Sequence, residues 1–217
     1  MKKTYIITII LSSLVLIVAG AFLILAIRTA SIKDDYSSIF TDEKYSEPVS
    51  CKEIEVITQD VSCGYAVIEM FASWSGKNIT EESLYETYGK VVTSTGKNFS
   101  KEMNKQFPEH KTTMHKYLKN TELIDTVYQS LKAGTPVPFE WAALYKEEWT
   151  LHYSLVTGMD IPNNEVTIAN PYGYYEEITI EDFLDRTTFE AYKPMPWFLE
   201  MGFMFGFFEK NTVFTVD

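Results

Sequence analysis

At 217 residues, with 46% apolar and 15% aromatic side chains, the chain has enough apolar material for one core of ordinary domain size. It carries 30 Asp and Glu against 19 Lys and Arg, a net charge of −11, which argues against nucleic acid or a broad anionic surface as its partner. Two cysteines are too few for a disulfide framework or a cysteine-built zinc site, and the chain contains no His-Glu-x-x-His, no Gly-x-Ser-x-Gly and no P-loop.

Residues 4–27 form an almost unbroken apolar run, interrupted only by hydroxyl residues such as Thr8, Ser12 and Ser13 that can bond within a helix. At 1.5 Å per residue such a helix crosses a bilayer core. A cleaved signal peptide is the competing reading, with Val18-Ala-Gly20 as its small-residue site. The apolar run continues from Phe22 to Ile27, however, which favours an uncleaved anchor. Basic residues flank both ends, Lys2 and Lys3 on one side and Arg28, Lys33 and Lys44 on the other, so the charge rule does not orient it. A short N-terminal tail ahead of a first apolar segment usually stays cytoplasmic. The expectation is therefore a single-pass protein of the cell membrane with its domain outside. Residues 31–50 are polar and read as a linker, and residues 51–217 as the domain. Beyond residue 28 the chain holds 16 basic and 30 acidic residues, a balance of −14 that favours a cationic peptide over an anionic one.

From Gly64 to Ser75 the residues Ala66, Val67, Met70, Phe71 and Trp74 recur at helical spacing, with Gly76 placed to end the run. Cys63 then stands at a helix N-terminus, where unpaired backbone N–H groups favour both a thiolate and the oxyanion of a tetrahedral intermediate. Gln59, four residues upstream, is placed to aim its amide at the same oxyanion. Taken alone, Cys63 could equally be a small buried hydrophobe. A bridge between Cys51 and Cys63 would silence the nucleophile, but two free thiols are preferred.

Thr80-Glu-Glu opens a second helix that stops at Gly89, and Thr121-Glu opens a third that stops before Gly134. Residues 90–120 between them hold seven lysines with His110 and His115, and read as irregular with one short helix at most. The two histidines lack carboxylate or thiol neighbours, so no metal site is expected, and no cofactor. Trp141 to Trp149, with Glu140, Glu147 and Glu148, reads as a loop bordering a cleft.

His152-Tyr-Ser-Leu-Val-Thr-Gly158 and Val166 to Ala169 flank the turn-like Asp160-Ile-Pro-Asn-Asn164 and read as a β-hairpin. With pairing centred on residue 161, His152 faces Asn170, which would then fix the imidazole's orientation and tautomer. A longer or bulged loop shifts that register. The C-terminal stretch from Pro194 to Phe208 is rich in aromatics and methionine. Alternation at Phe203, Phe205 and Phe207 suggests a closing pair of strands that ends in Thr212 to Val216.

These residues carry a resemblance. Gln59-Asp-Val-Ser-Cys-Gly-Tyr-Ala-Val-Ile-Glu-Met70 is similar to the nucleophile motif of the C39-like peptidases, a branch of the papain-like cysteine proteases. Leu131-Lys-Ala-Gly-Thr-Pro-Val137, His152 to Gly158, Val166-Thr-Ile-Ala-Asn-Pro-Tyr172 and Ile180-Glu-Asp-Phe183 resemble its later segments in order and spacing, so the likeness covers roughly residues 55–190. Tyr65 and Asn170 depart from the proline and aspartate common in the family. The resemblance implies an α+β papain-like fold, a helical part packed on a twisted antiparallel sheet behind one N-terminal transmembrane helix. It also implies Cys63 as nucleophile, His152 as base, Asn170 as its orienter and Gln59 as oxyanion donor. The expected activity is a membrane-anchored cysteine peptidase acting through an acyl-enzyme thioester on peptide or protein substrates, with any exporter a separate partner. An amidase or acyltransferase using the same groups, and a non-catalytic tethered peptide-binding module, are the alternatives.

Overall fold

The computed structural model describes residues 2–89 and 93–217; the part of the lysine-rich stretch at residues 90–92 lies outside them. In chain order the elements are α1 (Lys2–Ile32), β1 (Val49–Ser50), α2 (Cys63–Ser75), α3 (Glu81–Tyr88), α4 (Gly96–Gln106), β2 (Thr112–His115) and α5 (Asn120–Lys132). They continue with β3 (Val137–Tyr145), β4 (Glu148–Asp160), β5 (Glu165–Asn170), β6 (Tyr174–Ile178), α6 (Ile180–Thr187), α7 (Trp197–Met204) and β7 (Thr212–Val216). One antiparallel sheet runs in the order β2-β7-β3-β4-β5-β6, and β1 pairs with the end of β4 that extends beyond β3. The protein is α+β, with helices on both faces of the sheet.

Strand alternation explains the two layers. From β3, β4, β5 and β7, Phe139, Trp141, Val156, Ile168 and Val213 turn to one face, where Leu123, Ile124, Val127 and Leu131 of α5 and Phe183 of α6 cover them. Tyr153, Leu155, Ala169, Phe214 and Val216 turn to the other, beneath Tyr65, Ile68 and Phe71 of α2 and Phe99 and Met103 of α4. Ser62 caps α2 by accepting from the Tyr65 N–H, and Gly76 closes it with a left-handed φ of 81° that side chains rarely adopt.

Several expectations are corrected by contacts between distant parts of the chain. Residues 31–50 are not a free linker. Ile39 and Tyr45 are buried in the core, the Tyr128 hydroxyl donates to the Glu47 carbonyl at 2.9 Å, and Lys44 pairs with Asp125 at 2.5 Å. Asp34 accepts from the Thr121 N–H at 3.2 Å and from its hydroxyl at 2.5 Å, so Thr121 lies inside α5 and the N-terminus of α5 is satisfied from 87 residues away. Between residues 93 and 119 lie an eleven-residue helix and the edge strand β2 rather than irregular chain. Residues 141–149 are no loop. They run as strand to Tyr145, turn at Lys146 and Glu147 with φ of 47° and 72°, and return as strand, the two-residue hairpin geometry whose twist matches the sheet. The aromatic C-terminal stretch is half helix: Leu199 and Phe203, four apart on α7, bury against Phe189, and only Thr212–Val216 is strand.

Candidate active site

The β4–β5 hairpin carries a bulge between Val156 and Gly158, so its pairing passes from Asp160↔Glu165 to Leu155↔Ala169. Continuing that register puts Ser154, not His152, opposite Asn170. His152 and Asn170 share a face and meet diagonally, with His152 Nε2 3.0 Å from Asn170 Oδ1. Both side chains are buried.

The surroundings of Asn170 decide which proton sits where. Its Oδ1 also accepts the Tyr172 backbone N–H at 3.1 Å, and its Nδ2 donates to Glu176 Oε2 at 3.0 Å. The amide therefore presents oxygen to the imidazole, Nε2 carries the proton, and Nδ1 is left with its lone pair. Glu176 is held in turn by Arg186 Nη1 at 2.6 Å, and the Arg186 guanidinium also pairs with Asp182 and lies over the rings of Trp141 and Trp149. Tyr172 stacks on the imidazole with centroids 4.1 Å apart and planes 22° from parallel. Orientation, tautomer and ring plane of His152 are thus each fixed by a separate contact.

Cys63 opens α2 at the same end of the sheet. Among the described residues, pairing of β4 with β5 stops at Leu155, next to the stretch of β4 that meets Cys63. There the Tyr153 N–H acts on the Cys63 sulfur together with the Gly64 N–H, both favouring the thiolate. Tyr172 lies within electrostatic range of Cys63. Among the described residues no hydrogen bond joins Cys63 to His152, and both cysteines are free. Sequence reasoning expected a thiol of lowered pKa, but desolvation dominates. Burial pushes Cys63 up to about 11 and His152 down to about 4, so each group alone rests neutral near pH 7.

Gln59 reaches the site through backbone contacts on the other side of Tyr172. Its N–H donates to the Pro171 carbonyl at 2.7 Å, and Thr58 bridges to Tyr172. The approach is close enough that a Cβ on Gly173, at φ 91°, would collide with Thr58 Oγ1. Gln59 Oε1 is buried without a hydrogen-bond partner among the described residues. From Gln59 to Cys63 the chain is gathered around the buried Glu81 carboxylate, which accepts the N–H groups of Asp60 at 2.8 Å, Val61 at 2.8 Å and Ser62 at 2.5 Å. Beside it opens a cleft of about 610 Å³ lined by Gln59, Asp60, Tyr145, Glu148, Trp149 and Tyr172 among others.

Residues 51–195 match the Peptidase_C39 like family. The chain belongs to that family. Among solved structures it is similar to a double glycine motif protease from an AMS/PCAT transporter in complex with the leader peptide, at 15% identity and a TM-score of 0.50 over 78% of this chain and 96% of that one. It is also similar to the peptidase domain of Streptococcus ComA, a bi-functional ABC transporter involved in a quorum-sensing pathway. That likeness has 22% identity and a TM-score of 0.46 over 62% of this chain and 92% of that one. No curated protein matches. The first of these likenesses supports the α+β fold of this C39-like chain.

Four contributors to the site were not read from sequence: Glu81, Glu176, Tyr172 as a stacking partner, and Arg186. Arg186 left a signal, since it is one of only two arginines in a chain that otherwise uses lysine. Glu140, placed beside a cleft by sequence, instead faces the interior across from Tyr153, with Oε2 and the Tyr153 hydroxyl both unpartnered. Burial, reinforced by Glu209, raises its carboxyl from 4.5 to about 8. Unfolded, it would ionise near 4.5 and favour the unfolded chain progressively as pH climbs to 8. Its stabilising share is therefore complete below pH 4.5 and gone above 8, a loss of up to about 5 kcal/mol. Glu140→Gln is expected to gain thermal stability over the parent as pH rises through that window, with no such gain at pH 4.5; melting curves across pH check it.

Proposed function

We propose that this C39-like protein is an active cysteine peptidase, with Cys63 as nucleophile, His152 as base, Asn170 as its orienter and Gln59 as oxyanion donor. The observation that carries it is the Asn170 amide, locked by Tyr172 and Glu176 so that His152 must offer Nδ1 as an acceptor. In the reaction the Cys63 thiol proton passes to Nδ1 as sulfur attacks the substrate carbonyl. The Gln59 amide and the Cys63 N–H then hold the oxyanion. Collapse breaks the C–N bond, His152 gives the proton to the leaving amine, and a thioester remains on Cys63. Water, deprotonated by Nδ1, attacks that thioester, and the proton returns to sulfur. Because burial penalises each charge singly, thiolate and imidazolium appear together, and the same low dielectric that disfavours either alone strengthens their attraction.

The cleft beside Gln59 carries Asp60 and Glu148, which suits a substrate with basic residues near the scissile bond. By analogy with the leader-peptide complex, the substrate is a leader-bearing peptide, with any exporter a separate protein. Residues 1–30 serve as the membrane anchor and 51–217, with the core-packed residues 31–50, as the catalytic domain, on the outer side of a cell membrane. α1 supports this as a helix long and apolar enough to cross a bilayer, with its apolar residues from Tyr5 to Leu16 exposed. The elevated Cys63 and depressed His152 favour one rival, a non-catalytic peptide-binding module. Incubating the full chain with a peptide library and reading new termini by mass spectrometry separates the two. Cleavage that is lost in Cys63→Ala by about 10³-fold or more is expected, whereas retention of uncleaved peptides by both proteins identifies the module.

A further inference from the structure

Resting on the anchor reading of α1, we infer that α7 and the chain after it form a second membrane contact, an aromatic wedge that lies in the same bilayer leaflet as the end of α1. The first observation is geometric. Phe22, Leu25 and Ala26 of α1 share the walls of a cavity of about 460 Å³ with Met195 and Phe203. Leu25 also packs on the cluster formed by Phe189, Leu199 and Phe203. These α1 residues belong to the apolar run that would cross the bilayer, so whatever touches them from the side occupies the same depth. At 1.5 Å per residue, Phe22 lies roughly 9 Å below Arg28, inside the headgroup and upper acyl region.

The second observation is what α7 leaves uncovered. Trp197, Phe198, Phe205 and Phe207 are 74%, 58%, 51% and 62% exposed, although Leu199 and Phe203 of the same segment are buried. Four large aromatics left open around one short helix are costly in water and are the residue types that settle at the bilayer interface. The third is the polar rim. Lys33, Lys193, Glu190 and Glu200 also line the cavity, Lys33 and Lys193 both pair with Glu190, and Lys33 is the first residue after α1. Charged side chains thus stand at the level where α1 ends, the depth at which headgroups would meet them. Asp34 is fastened to Thr121 directly after α1, so little slack chain lets the domain swing away from the surface. Trp149 belongs both to the edge of this cluster and to the cleft beside Gln59, which places the cleft close above the membrane.

The test uses the full chain in vesicles of phosphatidylcholine with a minor share of phosphatidylglycerol. Carbonate extraction comes first. Tryptophan quenching by lipids brominated near the top of the acyl chain follows, and the Trp197→Phe variant isolates the emission of Trp197. A membrane-retained protein whose Trp197 emission is blue-shifted and largely lost to the brominated lipid is the expected result. A retained protein whose Trp197 is untouched by the brominated lipid overturns the wedge and leaves the anchor standing; the aromatics would then face another protein. Release by carbonate overturns both.

Discussion

His152→Ala is expected to slow alkylation of Cys63 by iodoacetamide at pH 7 by about 10²–10⁴-fold, the contribution of a positioned base. The reason is the burial of the thiol. Without an acceptor its pKa of about 11 leaves a thiolate fraction of about 10⁻⁴ at neutral pH, so the variant's rate should climb tenfold per pH unit toward pH 11. In the parent, Nδ1 takes the proton as sulfur attacks. The rate should be nearly flat above the His152 pKa of about 4 and fall as pH drops through it, when the imidazole is protonated and no longer a base. Intact mass of the labelled protein at a series of pH values reads both limbs, with Cys51 assigned by peptide mapping. Cys51, whose thiol burial also raises to about 11, serves as the internal reference for a thiol without a base. Equal rates for Cys63 in parent and variant would remove His152 from its assigned role.

Glu81→Ala should be the most damaging change outside the proposed catalytic residues. One buried carboxylate accepts three consecutive backbone N–H groups, those of Asp60, Val61 and Ser62, and these residues are the whole connection between Gln59 and Cys63. Bonds from neutral donors to a charged acceptor are the stronger kind, and alanine would leave the three donors without a partner in a partly buried loop. A loss of about 3–5 kcal/mol in stability is expected. Peptide turnover should fall further than the unfolded fraction explains, because the Gln59 amide and the Cys63 N–H lose their common frame. Glu81→Gln, which keeps one acceptor oxygen, should fall between. Denaturant melts paired with turnover at a temperature where both variants are folded measure the two effects separately. An alanine variant with full turnover when folded would show that the loop holds its shape without the carboxylate.

The features legible in sequence were those encoded locally. The helix behind Cys63 was marked by its apolar spacing and by Gly76, and the hairpin carrying His152 by Asp160-Ile-Pro-Asn-Asn164, because spacing and turn chemistry act over a few residues. What sequence missed was set by partners far along the chain. Asp34 reaches Thr121, Glu81 reaches back to a loop twenty residues earlier, and a turn centred between Pro162 and Asn163, with a one-residue bulge at Val156 to Gly158, sets Asn170 opposite Ser154 instead of His152. The stretch around α7 reads as strand in sequence because Phe203, Phe205 and Phe207 alternate, a period-2 pattern that runs past the end of the helix. Burial of Leu199 and Phe203 on one side, with Trp197 and Phe198 exposed, is helical. The lowered thiol pKa expected from a helix N-terminus alone did not survive desolvation, a term that no short motif reveals.

The most direct test of the central claim is to trap the thioester. A peptide retained by the protein is mixed with it, quenched in acid after a short mixing time, and the protein is mapped by mass spectrometry. The expected result is a mass increase equal to the acyl half of the peptide on the fragment holding Cys63, removed by neutral hydroxylamine and missing in Cys63→Ala. Peptide bound intact, with no adduct in the parent and the same affinity in Cys63→Ala, would contradict it.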